Sequence, residues 1–176
     1  AFGKIDILVN AAGIYGPIGP TSEIDVRLWR KTYEINVFGT FQMIRETLPS
    51  MIKNRSGKII NFSGGGDGPF PNFSAYNSSK VAIVRLTETI AAEVMDFGID
   101  INCIAPGPVN TRFLEEALKA GEEKVGKFKY QELLKQKADG GVAPEKSAAL
   151  STFLASSMSD GLTGKFLSAV WDDWRK

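Results

Sequence analysis

Four short apolar runs, separated by long stretches of mostly helical character, constrain the fold of this chain more than any other feature. Three of them have the length and composition of buried strands and lie at residues 7–9, 58–63 and 99–105. A fourth is predicted at 165–171. Connections this long allow the crossovers that parallel strands require. The pattern therefore predicts an α/β fold in which helices pack on a parallel sheet.

One predicted helix carries Tyr76 and Lys80, which lie four positions apart and therefore project from one face. The apolar residues that follow recur with helical spacing, at Ile83, Leu86, Ile90, Ala91 and Val94. A free phenol exchanges protons poorly at neutral pH because its pKa is about 10. A neighbouring ammonium lowers that pKa, so the pair has the chemistry of a general acid and base. The same spacing is common by chance, and a purely structural pair is the alternative interpretation.

The preceding predicted helix contains a polar residue in an apolar setting. Its apolar side consists of Leu28, Trp29, Ile35, Phe38, Phe41, Ile44 and Leu48. Asn36 lies among them and must be hydrogen-bonded if it is buried. Asparagine competes with the helix backbone for partners, so a local kink is expected. Asn36 is either a satisfied core residue or part of a kink that presents a carbonyl or a bound water to a site.

Small and rigid residues follow the first three predicted strands, in the segments 10–13, 64–68 and 106–111. Glycine and other small residues at such positions let a ligand or another chain segment approach the backbone closely. The carboxyl ends of parallel strands meet at one edge of the sheet, where open α/β sheets bind their ligands. The glycine run at 64–66 has the wrong spacing for a phosphate-binding loop. Ser63 places a hydroxyl at this edge.

Composition restricts the chemistry and the partners of the chain. It has no histidine, which excludes histidine-based triads and histidine metal ligands within these residues, and we expect no metal site. A net charge of +1 gives no reason to expect nucleic acid or an anionic membrane as a partner. One cysteine rules out an internal disulfide and suits a reducing compartment. With no signal peptide or bilayer-spanning apolar run in the sequence, a cytoplasmic location is expected.

Four motifs, in this order, resemble those of the short-chain dehydrogenase/reductase family. Residues 10–13 match the family's Asn-Asn-Ala-Gly turn with alanine at the second place, and Asn36 matches its helix asparagine in an Asn-x-x-Gly setting. Tyr76 and Lys80 match the Tyr-x-x-x-Lys motif, and residues 106–111 match the Pro-Gly-x-Val-x-Thr turn. The resemblance implies a Rossmann-like, doubly wound parallel sheet with three α/β/α layers, of which this chain is the C-terminal portion, in the ordinary single-domain branch.

The resemblance also implies an activity, namely hydride transfer between the nicotinamide of NAD or NADP and a small-molecule carbonyl or secondary alcohol. Tyr76 would be the acid/base, Lys80 would lower its pKa and bind the nicotinamide ribose, and Asn36 would hold a water of a proton relay. The implied catalytic set is Asn36, Ser63, Tyr76 and Lys80. The implied cofactor-binding set is Asn10, Ala11, Ala12, Gly13, Tyr76, Lys80, Pro106, Gly107, Val109 and Thr111.

Two counts place the family's serine, which orients the substrate oxygen, at different residues. Counting back thirteen positions from Tyr76 gives Ser63, whereas counting three forward from Asn61 gives Gly64. We assign the role to Ser63 because it carries the only hydroxyl at the strand end.

The resemblance covers residues 1–176 as a partial domain, and the family's glycine-rich N-terminal βαβ half is not among them. We therefore expect a truncated sequence, without the residues that choose between NAD and NADP. Residues 112–141, rich in Lys and Glu, are predicted to form a mobile substrate lid, although an ordinary solvated helix pair fits the composition equally well. A truncated, non-catalytic dinucleotide-binding or interaction module is the alternative function.

The resemblance further implies a homodimer or homotetramer, formed through the helices that carry Asn36 and Tyr76. Three methionines, Met43, Met51 and Met95, are candidates for that interface, with a plain core role as the alternative. The sequence leaves the substrate open among sugars, polyols, hydroxy acids, acyl thioesters and steroids.

Overall fold

A parallel sheet of four strands forms the centre of the fold in the computed structural model, which describes residues 3–64 and 68–174. In spatial order the strands are β1 (Ile7–Asn10), β2 (Gly57–Phe62), β3 (Ile99–Ala105) and β4 (Phe166–Ser168). All three neighbouring pairs are parallel. This confirms the predicted parallel sheet, although β4 is shorter than the predicted run 165–171.

A long helical segment leads from β1 to β2 and contains the predicted kink. Asp25 caps helix α1 (Val26–Tyr33), its carboxylate accepting a hydrogen bond from a backbone amide of the first turn. A π-helical turn, Glu34–Phe38, follows and passes directly into helix α2 (Gly39–Asn54). Asn36 lies at the middle of the π turn, so the distortion expected from a buried asparagine is present.

Helix α3 (Ser74–Val94) connects β2 to β3 and carries Tyr76 and Lys80 in its first two turns. It continues into a short 3₁₀ turn, Met95–Phe97, and ends at Gly98. The φ of Gly98 is 67°, the left-handed conformation in which glycine commonly terminates helices. The start of α3 therefore lies at the carboxyl end of β2, at the edge where the sequence predicts the site.

Two hydrophobic cores hold the layers of the fold together. One core joins α2 and α3 to the sheet, and its buried members are Leu8, Ile44, Met51, Ile59, Ile90, Ala91, Val94, Ile99 and Ile101. On the other face, Ile60 and Ile104 pack against the buried leucines of helix α7 (Glu145–Ala155). Adjacent residues of β2 and β3 thus point to opposite cores, as side-chain alternation requires. The sheet is covered by helices on both faces, which confirms the predicted α/β/α layering.

Residues 112–138 form three short helices. They are α4 (Arg112–Ala120), α5 (Glu122–Val125) and α6 (Lys127–Ala138). Their charged sides are exposed, but their inner sides pack into a third cluster with residues at the start of α3. Its buried members are Phe73, Tyr76, Leu114, Ala117, Val125 and Leu133. The helical nature of this segment is confirmed, it has a core of its own, and its function as a lid stays a prediction.

Several large apolar side chains lie outside these cores. Phe38, Phe41 and Met43 are exposed around the start of α2, and Met95 is exposed at the end of α3. Met51 is fully buried, so its role is in the core. In the described part of the chain, no helix combines the length and the apolar character needed to cross a bilayer.

Candidate active site

A cavity of about 660 Å³ opens at the carboxyl ends of the strands. It is lined by the loops that follow β1, β2 and β3, by the start of α3, and by residues of α4 and α6. The predicted convergence of the strand-end loops on one cleft is therefore confirmed. The residues of the implied sites that line the cavity are Ala11, Ser63, Tyr76, Lys80, Pro106, Gly107, Val109 and Thr111.

Tyr76 presents a deeply buried phenol to this cavity. Its side chain is 7% exposed, and its hydroxyl donates a hydrogen bond of 2.9 Å to the backbone oxygen of Gly64. Burial raises the pKa of Tyr76 above its usual value, and the nearby Tyr15 phenol raises it further. The pKa shift of Tyr76 is thus upward, opposite to the lowering expected from Lys80. The Lys80 ammonium lies 5.8 Å from the Tyr76 ring centroid and is not among the causes of this shift, so its lowering of the Tyr76 pKa stays a prediction.

Lys80 is tied to the end of β2 through both its side chain and its main chain. The side-chain Nζ donates a hydrogen bond of 3.0 Å to the backbone oxygen of Phe62. The backbone oxygen of Lys80 accepts a hydrogen bond of 3.1 Å from the Ser63 hydroxyl. Burial lowers the pKa of the Lys80 ammonium to about 8. This lysine can therefore change its charge close to neutral pH.

Asn36 is completely buried and clamps the loop that follows β1. Its Oδ1 accepts a hydrogen bond from the Ile14 amide at 2.9 Å, and its Nδ2 donates to the Ile14 carbonyl at 3.0 Å. The same Nδ2 donates to the Ser79 hydroxyl at 2.9 Å, which in turn donates to the backbone oxygen of Tyr76. The side chain is thus satisfied in the core, and it joins the β1 loop to the first turns of α3.

The small-residue turn after β1 lies against the same groups. Asn10 donates from its Nδ2 to an asparagine of β2 at 2.8 Å, which fixes the strand end, and Ala12 is exposed. A Cβ on Gly13 would lie only 3.3 Å from both the Asn36 Oδ1 and the Lys80 Nζ. Glycine therefore allows the turn to come this close to the lysine. The contribution of this turn to cofactor binding stays a prediction.

The loop after β3 is held in a tight conformation. Gly107 has a φ of 81°, and a Cβ there would come within 2.6 Å of the Val170 side chain. The Val109 amide donates a hydrogen bond of 2.9 Å to the Gly107 carbonyl. Thr111 caps α4, its hydroxyl accepting from the Phe113 amide. These contacts give the motif a structural role, and its contact with a cofactor stays a prediction.

Tyr15 and Phe113, two aromatic residues outside the four sequence motifs, also line the cavity. The Tyr15 ring lies edge-on to the Tyr76 ring, with centroids 4.6 Å apart, and lies 4.6 Å from the Phe113 ring. Burial and, to a lesser extent, the Glu116 carboxylate raise the pKa of Tyr15 to about 12. Tyr15 stands two positions after Gly13, and this nearness to the turn is the one feature of the sequence that points to Tyr15 as a site residue.

This arrangement defines the class of protein. A parallel sheet between helical layers, with a ligand-sized cavity at the carboxyl ends of its strands, is a Rossmann-like α/β fold. Among the described residues, no group of three or more His, Cys, Asp or Glu side chains could hold a metal ion. Residues 1–122 match the family model described as short chain dehydrogenase, and the chain belongs to that family.

Curated relatives agree with this assignment. The dehydrogenase/reductase SDR family member 6 of Xenopus laevis is 35% identical over 165 residues, which cover 92% of this chain and 66% of the relative. The human dehydrogenase/reductase SDR family member 4 is 35% identical over 164 residues, covering 93% of this chain and 57% of the relative. The chain thus spans about two thirds or less of the length of these relatives.

Solved structures share the fold. Levodione reductase superposes with a TM-score of 0.83 at 28% identity, covering 95% of this chain and 66% of that one. A xylitol dehydrogenase bound to NAD+ gives a TM-score of 0.79 at 28% identity, and the match covers 95% of this chain and 68% of the dehydrogenase. A gluconate 5-dehydrogenase from Burkholderia cenocepacia, in complex with NADP and tartrate, gives a TM-score of 0.81 at 28% identity. The match covers 95% of this chain and 64% of that dehydrogenase.

Proposed function

We propose that this protein is an NAD(P)-dependent oxidoreductase that transfers a hydride between nicotinamide and a carbonyl compound or secondary alcohol, with Tyr76 as the acid/base. One observation carries the proposal: the buried Tyr76 hydroxyl and the buried Lys80 ammonium line the same cavity at the strand ends. Family membership supports it. Two of the similar structures, the xylitol dehydrogenase and the gluconate 5-dehydrogenase, hold NAD+ and NADP respectively.

The residues of the cavity suit a nicotinamide dinucleotide, which supplies the hydride donor or acceptor when bound. The Lys80 ammonium has three donors and uses one on the Phe62 carbonyl, so it has donors to offer to ribose hydroxyls. Val109 and Thr111 belong to the rigid loop proposed to contact the carboxamide. Residues 10–13 are proposed to lie along the adenosine ribose side. Either NAD or NADP fits this proposal.

Tyr76 would give its hydroxyl proton to the substrate oxygen during carbonyl reduction and take it back during alcohol oxidation. Burial raises the pKa of Tyr76, which keeps the phenol protonated at neutral pH but also makes it a weaker acid, since a general acid works best with a pKa near the operating pH. The hydrogen bond to Gly64 holds the proton at the cavity wall until substrate arrives. The Lys80 charge would stabilise the phenolate that remains after proton transfer.

Asn36 would position other groups and, as the family resemblance implies, hold a water of the proton relay. Its side chain holds Ile14 and Ser79, and its backbone oxygen accepts a hydrogen bond of 2.8 Å from the Thr40 hydroxyl.

Ser63 and Gly64 remain the two candidates for the group that orients the substrate oxygen. Ser63 has the hydroxyl and lines the cavity, but that hydroxyl donates to the Lys80 backbone. Gly64 contacts the Tyr76 hydroxyl through its backbone oxygen. Ser63 stays the proposed group, because it carries a hydroxyl and lines the cavity, whereas Gly64 offers only its main chain.

We also propose a cytoplasmic homodimer or homotetramer. The exposed apolar side chains Phe38, Phe41 and Met43 support an interface at the start of α2. The alternative, a non-catalytic dinucleotide-binding or interaction module, is disfavoured because the Tyr76 hydroxyl and the Lys80 ammonium remain together in the cavity.

The test is hydride transfer from NADH and from NADPH to a panel of ketones, followed by loss of the reduced dinucleotide. Tyr76→Phe should lower kcat by about 10²–10⁴-fold, the usual contribution of a general acid, with an unchanged circular dichroism spectrum. Tyr130→Phe is the matched control, because Tyr130 packs on the same aromatic cluster but does not line the cavity. Dinucleotide binding without turnover by the wild type would favour the non-catalytic module.

A further inference from the structure

We propose that Tyr15 is a second substrate-binding phenol, whose hydroxyl bonds the substrate oxygen beside Tyr76 and whose ring favours uncharged carbonyl compounds that carry a flat aromatic ring. The proposal rests on the oxidoreductase function proposed above and deepens it by naming a substrate class. Neither the family match nor the motif residues assign a role to this tyrosine.

The hydroxyl of Tyr15 differs from the other hydroxyls of the cavity in its hydrogen bonding. The described lining residues that carry a hydroxyl are Tyr15, Ser63, Tyr76, Thr111, Ser147 and Ser168. The last five all bond backbone groups, as donors or as acceptors. Within the described part of the chain, the Tyr15 hydroxyl has no hydrogen-bond partner. This hydroxyl is therefore available to bond a substrate oxygen in the cavity.

The backbone presents Tyr15 rigidly. On one side, Ile14 is held by two hydrogen bonds to the buried Asn36 side chain. On the other side, Gly16 has a φ of 71°, and a Cβ there would overlap the Thr32 hydroxyl on α1. The chain is therefore fixed immediately before and after Tyr15. A side chain held in this way contributes to binding with little loss of conformational entropy.

The ring of Tyr15 belongs to an aromatic wall. It meets the Tyr76 and Phe113 rings at centroid distances of 4.6 Å each and the Phe73 ring at 5.2 Å. Phe70 stacks on Phe73 at 4.2 Å and also lines the cavity. Aromatic rings prefer such edge-on and offset contacts with one another. A flat ring next to the reacting carbonyl would extend this network, whereas a polyol chain would bury its hydroxyls against carbon.

The charges around the cavity favour an uncharged substrate. Among the described lining residues the cations are Lys80 and Lys129. Lys80 donates to the Phe62 carbonyl and is proposed to bind the cofactor ribose. Lys129 pairs with Glu132 at 3.0 Å and lies 4.9 Å from the Phe70 ring centroid. With the remaining donors of Lys80 assigned to the cofactor ribose and Lys129 paired with Glu132, a carboxylate or phosphate on the substrate would lose hydration without a dedicated partner.

The experiment compares three ketones in the protein as its gene encodes it. Acetophenone carries a flat ring, cyclohexyl methyl ketone has a similar size but a saturated ring, and 4-acetylbenzoate adds a negative charge. The wild type should reduce acetophenone with the highest kcat/KM. Tyr15→Phe removes the hydroxyl and keeps the ring, and it should lower kcat for all three ketones by about tenfold, the value of one hydrogen bond. Tyr15→Leu should raise the acetophenone KM several-fold and remove the preference for the flat ring.

Tyr130→Phe serves as the control and should leave both constants unchanged. The proposal is overturned if 4-acetylbenzoate or the saturated ketone is preferred, or if both Tyr15 variants match the wild type on all three ketones. If Tyr15→Leu does not fold, Tyr15→Phe still tests the hydroxyl. If the wild type reduces no ketone, the oxidoreductase proposal fails, and acetophenone binding measured by saturation-transfer NMR tests the site itself. Equal binding by the wild type and Tyr15→Leu would then overturn the role of Tyr15.

Discussion

The Tyr76 hydroxyl donates a 2.9 Å hydrogen bond to the backbone oxygen of Gly64, the residue that directly follows Ser63. Gly64 has a φ of 99°, and a Cβ at this position would lie 3.2 Å from the Tyr76 hydroxyl oxygen. At this strand end the phenol thus contacts a main chain that glycine allows to approach closely. Ser63, one position earlier, directs its hydroxyl to the Lys80 backbone.

Ser63→Ala should lower kcat by several orders of magnitude, because Ser63 carries the hydroxyl proposed to orient the substrate oxygen in the cavity. The loss of its hydrogen bond to the Lys80 main chain should lower the free energy of unfolding by about 1 kcal/mol. Steady-state kinetics and urea denaturation measure the two effects. An unchanged kcat would remove Ser63 from the site.

Lys80→Met should change how stability depends on pH. Burial lowers the pKa of Lys80 to about 8 in the folded protein, so between there and the value of 10.5 for a free lysine the unfolded chain binds more protons. The wild type must therefore gain stability from this group as the pH rises through that window, by at most about 1.4 kcal/mol per pH unit. Below pH 8 the full cost of the buried charge is present.

The measurement is chemical denaturation of the wild type and of Lys80→Met at several pH values from neutrality to the alkaline side. The stability of the methionine variant relative to the wild type should be greatest at neutral pH and should decrease as the pH rises. The unsatisfied Phe62 carbonyl in the variant adds a constant offset, so the trend with pH is the test. Parallel curves would show that the Lys80 ammonium is not destabilised by burial.

The sheet and most of its helices could be predicted because their signals are local. The run 99–105 coincides with β3, since its buried pattern is continuous and Gly98 ends the preceding helix. The edge of the sheet at which the site lies can also be predicted from the sequence, because the carboxyl ends of parallel strands meet at one edge. The packing of segment 112–138 is harder to predict, because its few apolar residues contact Phe73 and Tyr76. The spacing of apolar residues within the segment does not reveal these contacts.

Two features of the site depend on three-dimensional packing alone. The sign of the pKa shift at Tyr76 is set by how much water its surroundings exclude, which the four-residue spacing to Lys80 does not report. Tyr15 belongs to the site because Asn36 fixes the loop beside it, a contact between residues far apart in the sequence. A single aromatic residue in a loop has no pattern that would identify it.

Asn36→Leu should lower the free energy of unfolding by about 2–4 kcal/mol, because it leaves both backbone groups of Ile14 without their partner. The loop that carries Tyr15 should loosen, so the KM for the ketone substrate should rise as well. Hydrogen exchange at the Ile14 amide reports the loosening directly, and it should become faster than exchange of the sheet amides.

Asn102→Leu is the matched control for this change. Asn102 is also buried and also holds a loop, through its contacts with the Leu162 carbonyl and the Lys165 amide, but it does not line the cavity. It should lose a similar amount of stability with no selective effect at Ile14 and no change in KM. The same KM in Asn36→Leu and the wild type would remove Asn36 from the positioning of the site.

Met43→Glu tests the proposed interface. Met43 is 49% exposed in the first two turns of α2, which also carry the exposed Phe41, so a carboxylate there is tolerated by a monomer but is costly between two packed helices. The wild type should sediment as a dimer or tetramer and Met43→Glu as smaller species with unchanged helical content. Met158→Glu is the control, because Met158 is exposed in the turn after α7, and it should keep the wild-type assembly. A monomeric wild type would exclude the proposed interface. An assembly that Met43→Glu leaves intact would place the interface elsewhere on the protein.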